Sequence, residues 1–219
     1  MAIGEVTDNL KRAISFSPIL RERIGHHIYG EIWANNIKNV LIEKNLTNRP
    51  IHIISANMHS VMNTLFAPSA LKTESAKKTI FEVYEALSLS ANKDLRDKVS
   101  KEALQKGMHF IPDTSGTNID VQIFDTSKID VSKIDIKANA AILKEIKPVI
   151  LVMDYAFGEQ AYETIDELLK PYKTKGKKVH LNVESISIMG KAGILEGGKG
   201  DIMIPTAHIF EGTADNYPF

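Results

Sequence analysis

The stretch PVILVMDYAFGEQAYETIDELLKPYKTKGKKVHLNVESISIMG, residues 148–190, constrains this chain more than any other. It opens on an apolar, β-branched run over 148–155, too short for a helix and bounded by turn residues, so it reads as a buried strand. A turn at Gly158 follows, then a helix that sets Ala161, Ile165, Leu168 and Leu169 on one face. The run over 179–189 returns as a strand. Strand, helix and strand of this length form a β-α-β unit, which predicts parallel strands joined by a right-handed crossover. A parallel pair must be covered by helices on its faces. The expectation is therefore an α/β domain around a central sheet.

The rest of the chain is read against that unit. Leu20, Ile24, Ile28 and Ile32 recur every four residues, and Ile37, Val40 and Leu41 continue them, predicting a helix over 18–46. IHIIS, residues 51–55, is a short buried strand. ANMHSVMNTLFAPSA turns into a short helix expected to end before Pro68, because the residue before a proline is pushed out of the helical region. A helical stretch over 74–106 is divided at SANKD. A strand is expected near 119–124, a helix over 132–146, and a last strand over 201–209 that lies at an edge or bulge because Pro205 has no N–H. The strands near 51–55, 148–155, 179–189 and 201–209 are expected in one sheet. The expected organisation is an N-terminal helical segment, 1–48, serving as an appendage or assembly surface. An α/β domain over 49–219 follows, carrying a helical insertion at about 72–147.

Composition excludes several classes of function. Lysine plus arginine and aspartate plus glutamate both number 27, so the formal net charge is zero, which argues against a nucleic-acid or membrane-surface binder. No cysteine is present, which removes disulfide frameworks and thiolate metal sites. His26 and His27 are adjacent and diverge on a helix, and His52, His109, His180 and His208 show no ligand spacing, so neither metal nor cofactor is expected. The N-terminus lacks a signal-peptide core, and the longest apolar run is far too short to span a bilayer; the cytoplasm is the default compartment.

Three segments carry a resemblance. They are IHIISANMHSV, VMDYAFGEQAYETIDELL, and the C-terminal ISIMGKAGILEGGKGDIMIPTAHIFEGTADNY. Within the last, Gly190-Lys191-Ala192-Gly193-Ile194-Leu195, Gly200-Asp201-Ile202-Met203-Ile204-Pro205 and Glu211-Gly212-Thr213 follow in order. The chain resembles the purine nucleoside phosphorylase and nucleosidase superfamily, and within it the bacterial AMP nucleosidase-like proteins. The resemblance implies a three-layer nucleoside-phosphorylase-like domain with a central mixed sheet. It also implies cleavage of the N-glycosidic bond of a purine nucleotide or nucleoside. Members of that superfamily carry their ribose clamp and purine-protonating acid further along than Phe219. The expectation is therefore the front part of a longer protein, its sheet incomplete at the C-terminus, acting as a homo-oligomer or with the missing C-terminal part.

Such chemistry needs a held sugar, a placed water or phosphate, and a proton for the leaving purine. The resemblance places a ligand-facing turn at Gly190 to Gly193, with Lys191 and the Ala192 backbone against phosphate; the bland alternative for Lys191 is a solvated surface lysine. Ser55, Asn57, His59 and Ser60 follow the first strand, where related nucleosidases carry a water-activating glutamate that this sequence lacks. His59 is the candidate base, with a structural histidine as its alternative. Gly158 opens a helix that attracts an anion or merely turns the chain, with Glu159 opposing the former. Glu211 is the second candidate catalytic group, and Thr213 and Asp215 are candidate ribose or water ligands in a polar loop. The leading expectation is a nucleosidase. The alternatives are a phosphate-dependent phosphorylase and a non-catalytic nucleotide-binding module. Taken alone, the chain is expected to bind AMP or phosphate weakly and release no adenine.

Overall fold

The computed structural model describes residues 26–72, 78–134, 140–156, 158–174, 176–190, 196–198, 201–204, 207–209 and 216–218. By internal contacts the chain forms two units, Met1–Met189 and Gly190–Phe219.

The larger unit is built on a five-stranded mixed sheet in the order β2-β3-β4-β1-β7. Its strands are β1 (Ile51–Ser55), β2 (Met108–Ile111), β3 (Val121–Asp125), β4 (Val149–Met153) and β7 (Val183–Ile188). β4 is central; β1 lies next to it and pairs in parallel with β4 on one side and with the edge strand β7 on the other. β3 joins β4 antiparallel, and β2 joins β3 antiparallel. The β-α-β unit is thus present, with α6 (Gly158–Leu169) between β4 and β7. Two short strands between them, β5 (Tyr172–Thr174) and β6 (Lys177–Val179), form their own hairpin.

Alternation along the strands sends side chains to two cores, since successive residues point to opposite faces. On one face, Ile51, Ile53, Val121, Ile123, Leu151 and Met153 pack under Trp33, Ala34, Ile37 and Leu41 of α1 (His26–Glu43) and Leu168 of α6. On the other, Phe124 and Val152 pack under three helices: α2 (Met58–Ala70), α3 (Ile80–Ser88) and α4 (Lys93–Gln105). Phe66 of α2 stacks on Phe124 with ring centroids 6.1 Å apart. This is an α/β architecture with helices on both faces of the sheet.

Several expectations are corrected. The N-terminal helix is not an appendage. Trp33 is 2% exposed and donates its indole N–H to Ile119 O at 2.9 Å, while Lys38 Nζ donates to Glu167 O at 2.7 Å. Ile28 and Ile32, two residues of the expected stripe, are exposed; the buried side runs Trp33, Ile37, Leu41. Ile37 and Leu41 of the expected stripe are buried and Val40 packs against them, so only its earlier part, Ile28 and Ile32, is off the buried face. Residues 18–25 lie outside the described residues. The segment 72–147 is not an insertion, because it supplies β2 and β3 to the main sheet. It ends on two one-turn 3-10 helices and on α5 (Ala140–Ile146). α2 runs two residues past Pro68, and its last turn is closed by Leu71 N–H on Ala67 O at 3.0 Å. Proline removes one hydrogen bond there, which is tolerable a turn from the end and with Phe66 and Ala67 buried.

The expected last strand does not join the main sheet. Residues 201–204 are not strand, and Ile202 and Ile204 are largely exposed. Within the smaller unit, β8 (Ala207–Ile209) pairs antiparallel with β9 (Asn216–Pro218). Asp201 closes a turn there, accepting from Gly198 N–H at 2.7 Å.

Candidate functional site

β1 and β4 are parallel neighbours, yet the chain leaves them toward opposite faces: β1 runs into α2, and β4 into α6. Adjacent parallel strands whose connections diverge leave a crevice at their carboxyl ends, where open α/β sheets bind ligands. The residues after β1 open into a cleft of about 650 Å³ on the α2 side. Asn57, His59, Ser60, Asn63 and Thr64 form one wall. Tyr84, Leu87, Ser88, Ser90 and Arg96, from α3 and the turn into α4, form the other.

Local rules place these side chains. Asn57 is the N-cap of α2 and accepts from His59 N–H at 2.9 Å through Oδ1. Its own carbonyl accepts from Ser60 N–H at 3.0 Å. The first turn of the helix is therefore satisfied internally, which weakens it as an anion site. Asn57, Ser60 and Thr64 then recur at i, i+3 and i+7, so they share a helix face, with His59 and Asn63 beside them. Opposite, a capping box fixes the start of α3: Thr79 Oγ1 accepts from Glu82 N–H, and Glu82 accepts from Thr79 N–H at 2.7 Å. Glu82, fully exposed, has its carboxyl held below the usual range by those bonds from Thr79. At the other end of α3, Arg96 donates to the carbonyls of Leu87, Leu89 and Ser90, closing the α3–α4 turn.

The lining is rich in amides and hydroxyls and holds no carboxylate. Thr64 and Ser88 give their hydroxyl protons to Ser60 O and Glu85 O, so toward the cleft they are acceptors. Asn63 Oδ1 is buried with no hydrogen-bond partner. A buried amide oxygen without a donor costs about 1–3 kcal/mol, and Gln122 Oε1 of β3, outside the cleft lining, is in the same state.

Of the residues singled out from the sequence, Asn57, His59 and Ser60 meet in this cleft. Ser55 ends β1 nearly buried, its carbonyl accepting from Met189 N–H at 2.8 Å, and is structural. Gly158 does not line the cleft; at φ +56 it starts α6, a conformation that favours glycine, with Glu159 in the first turn. A Cβ at Gly190 would find no atom of the chain within 4 Å. Lys191, Ala192, Gly193, Glu211, Thr213 and Asp215 lie outside the described residues. No group of three or more His, Asp or Glu fit to hold a metal occurs among the described residues. No helix there is long and apolar enough to cross a membrane. Asn63, Thr64, Ser88, Ser90 and Arg96 escaped the sequence reading. The polar stripe on α2 carried a signal for the first two, whereas the opposite wall depends on how α3 and α4 fold back.

Residues 72–219 match the model of a family of unknown function, DUF6909. The chain belongs to that family. The match begins after α2, so β1 and the Asn57–Thr64 wall precede it, although β1 is hydrogen-bonded to both β4 and β7. Neither the curated proteins nor the solved structures contain a match to the chain.

Proposed function

We propose that this DUF6909 member binds a small, hydroxyl-rich molecule of the nucleoside or nucleotide class in the cleft between α2 and the α3–α4 turn, as a binding module. The lining as a whole carries the reading: the amides of Asn57 and Asn63 and the acceptor oxygens on Thr64 and Ser88 line one cleft. Those groups suit ligand O–H and N–H donors such as sugar hydroxyls and an exocyclic amine. The cleft volume of about 650 Å³ falls within the range of about 300–1,000 Å³ typical of small-molecule sites. Titration calorimetry of the full chain with adenosine and AMP tests it. Binding of at least one ligand is expected, weakened about tenfold or more by Asn63→Leu at unchanged thermal stability. Binding of neither, or binding indifferent to Asn63→Leu, refutes it.

A second reading, cleavage of the N-glycosidic bond, is favoured by His59, the one imidazole in the lining. It lacks support from the remaining lining, because leaving-group protonation and water activation usually use two groups and no carboxylate is present. Adenine release followed chromatographically with and without phosphate separates hydrolase, phosphorylase and binding module. The resemblance to AMP nucleosidase-like proteins motivates AMP as the first substrate to try.

A further inference from the structure

We infer that the cleft selects a ligand carrying a phosphate monoester, and that Arg96 is the side chain that selects it. The inference rests on the cleft being a ligand site. Arg96 supplies the one formal charge that is permanent in the lining, and no lining residue is acidic. Among the described residues it makes no ion pair; its partners are three backbone carbonyls. A guanidinium has five N–H groups, and three contacts leave two for a ligand. Carbonyl dipoles orient the group without neutralising its charge. The side chain is held in place before any ligand arrives, so little rotamer freedom is lost on binding.

Phosphate fits better than carboxylate because the unused donors are numerous. The Ser60 and Ser90 hydroxyls make no hydrogen bond among the described residues, and the Asn57 amide has given only its oxygen to the helix cap. The His59 ring stands on the same wall. Together with the two remaining N–H groups of Arg96 they match the three terminal oxygens of a phosphate monoester. The N-terminus of α2 cannot take this role, since Asn57 already satisfies its first N–H groups. Selection for charge therefore falls on side chains, with Asn63 reading the uncharged part of the same molecule.

Calorimetry on the wild-type chain compares AMP, ribose 5-phosphate, adenosine and inorganic phosphate. AMP is expected to bind at least about tenfold tighter than adenosine, and the advantage should shrink between about 50 and 300 mM salt. Competition by inorganic phosphate identifies the free anion as sufficient; competition by ribose 5-phosphate alone identifies the ester. Arg96→Gln should erase the preference for AMP over adenosine, and Arg96→Lys should restore part of it. If Arg96→Gln does not fold, the wild-type comparison with its salt dependence decides by itself. Equal affinity for adenosine and AMP, or a preference that survives Arg96→Gln, overturns the inference and leaves the cleft reading standing. Binding of none of the four overturns both.

Discussion

Two polar clusters, one at each end of the sheet, treat their groups in opposite ways. At the end where β1 and β4 begin, Arg49 donates to Asp125 Oδ1 at 2.7 Å, to Pro148 O at 3.2 Å and to the carbonyl of Lys147. Asp125 also accepts from Ser127 N–H and its hydroxyl, its own N–H donates to Gly107 O at 2.8 Å, and Lys128 lies 3.7 Å away. At the carboxyl end, Asn63 Oδ1 has no partner and Arg96 keeps two donors in reserve. A closed network fixes strands, loops and register. An open one costs stability and is ready for a ligand.

The largest expected effect comes from breaking the closed end. Arg49→Ala leaves the Asp125 carboxylate, which is 7% exposed, without its main cation. Removing one partner of a buried pair costs about 3 kcal/mol or more, read as a lower denaturation midpoint at unchanged slope. The pH dependence follows. Burial pushes the Asp125 carboxyl up, but hydrogen bonds from Ser127 and Arg49 and the Arg49 charge outweigh it, holding it below 3.8. That depressed pKa contributes stability present in full above about 3.8 and lost as pH falls through the lower folded value. Arg49→Ala should move the acid-unfolding limb to higher pH; an unmoved limb would mean that Ser127 alone holds the carboxylate.

A smaller loss is expected from Gly107→Ala in the same network. Gly107 sits at φ +102, and a Cβ there would meet Asp125 O and Lys128 Cβ at 2.9 Å each. A strained residue of this kind costs about 1–3 kcal/mol, measurable by thermal denaturation. Gly190→Ala, where a Cβ meets nothing within 4 Å, is the control and should be close to neutral.

The smallest effect on stability, and opposite in sign, belongs to the open end. Asn63→Leu removes an unsatisfied buried oxygen, so stability should hold or rise by up to about 1 kcal/mol while ligand binding falls. A marked destabilisation would place Asn63 with the scaffold and dissolve the comparison.

The central β-α-β unit was legible because period and length carry it: a β-branched run, a glycine turn, an amphipathic helix and a second run fit little else. The division of the 74–106 stretch was legible too: α3 and α4 separate at 89–92, overlapping the quoted SANKD at 90–92. The buried face of α1 was legible only in its second half, where Ile37 and Leu41 go inside as expected. Ile28 and Trp33 are both apolar, and only docking on β1, β3 and α6 decides that the tryptophan goes inside. β3 was legible as a strand near 119–124, but its place in the main sheet, and β2 altogether, escaped because antiparallel pairing joins residues far apart in sequence, with Val121 opposite Met153.

One wall of the cleft could be read before the structure, since Asn57, His59 and Ser60 follow a parallel strand, where ligand sites concentrate. The other wall is a product of tertiary structure. Arg96 meets the carbonyls of Leu87, Leu89 and Ser90 because α3 and α4 fold back across a three- or four-residue turn, a geometry that leaves no periodic trace. The sequence by itself determined the α/β class and the parallel core, because strand and helix periods are local properties of neighbouring residues. Which face each helix buries, which strands join the sheet, and which polar atoms are left unpaired were decided by packing between distant segments, where the free energy depends on contacts no local pattern encodes.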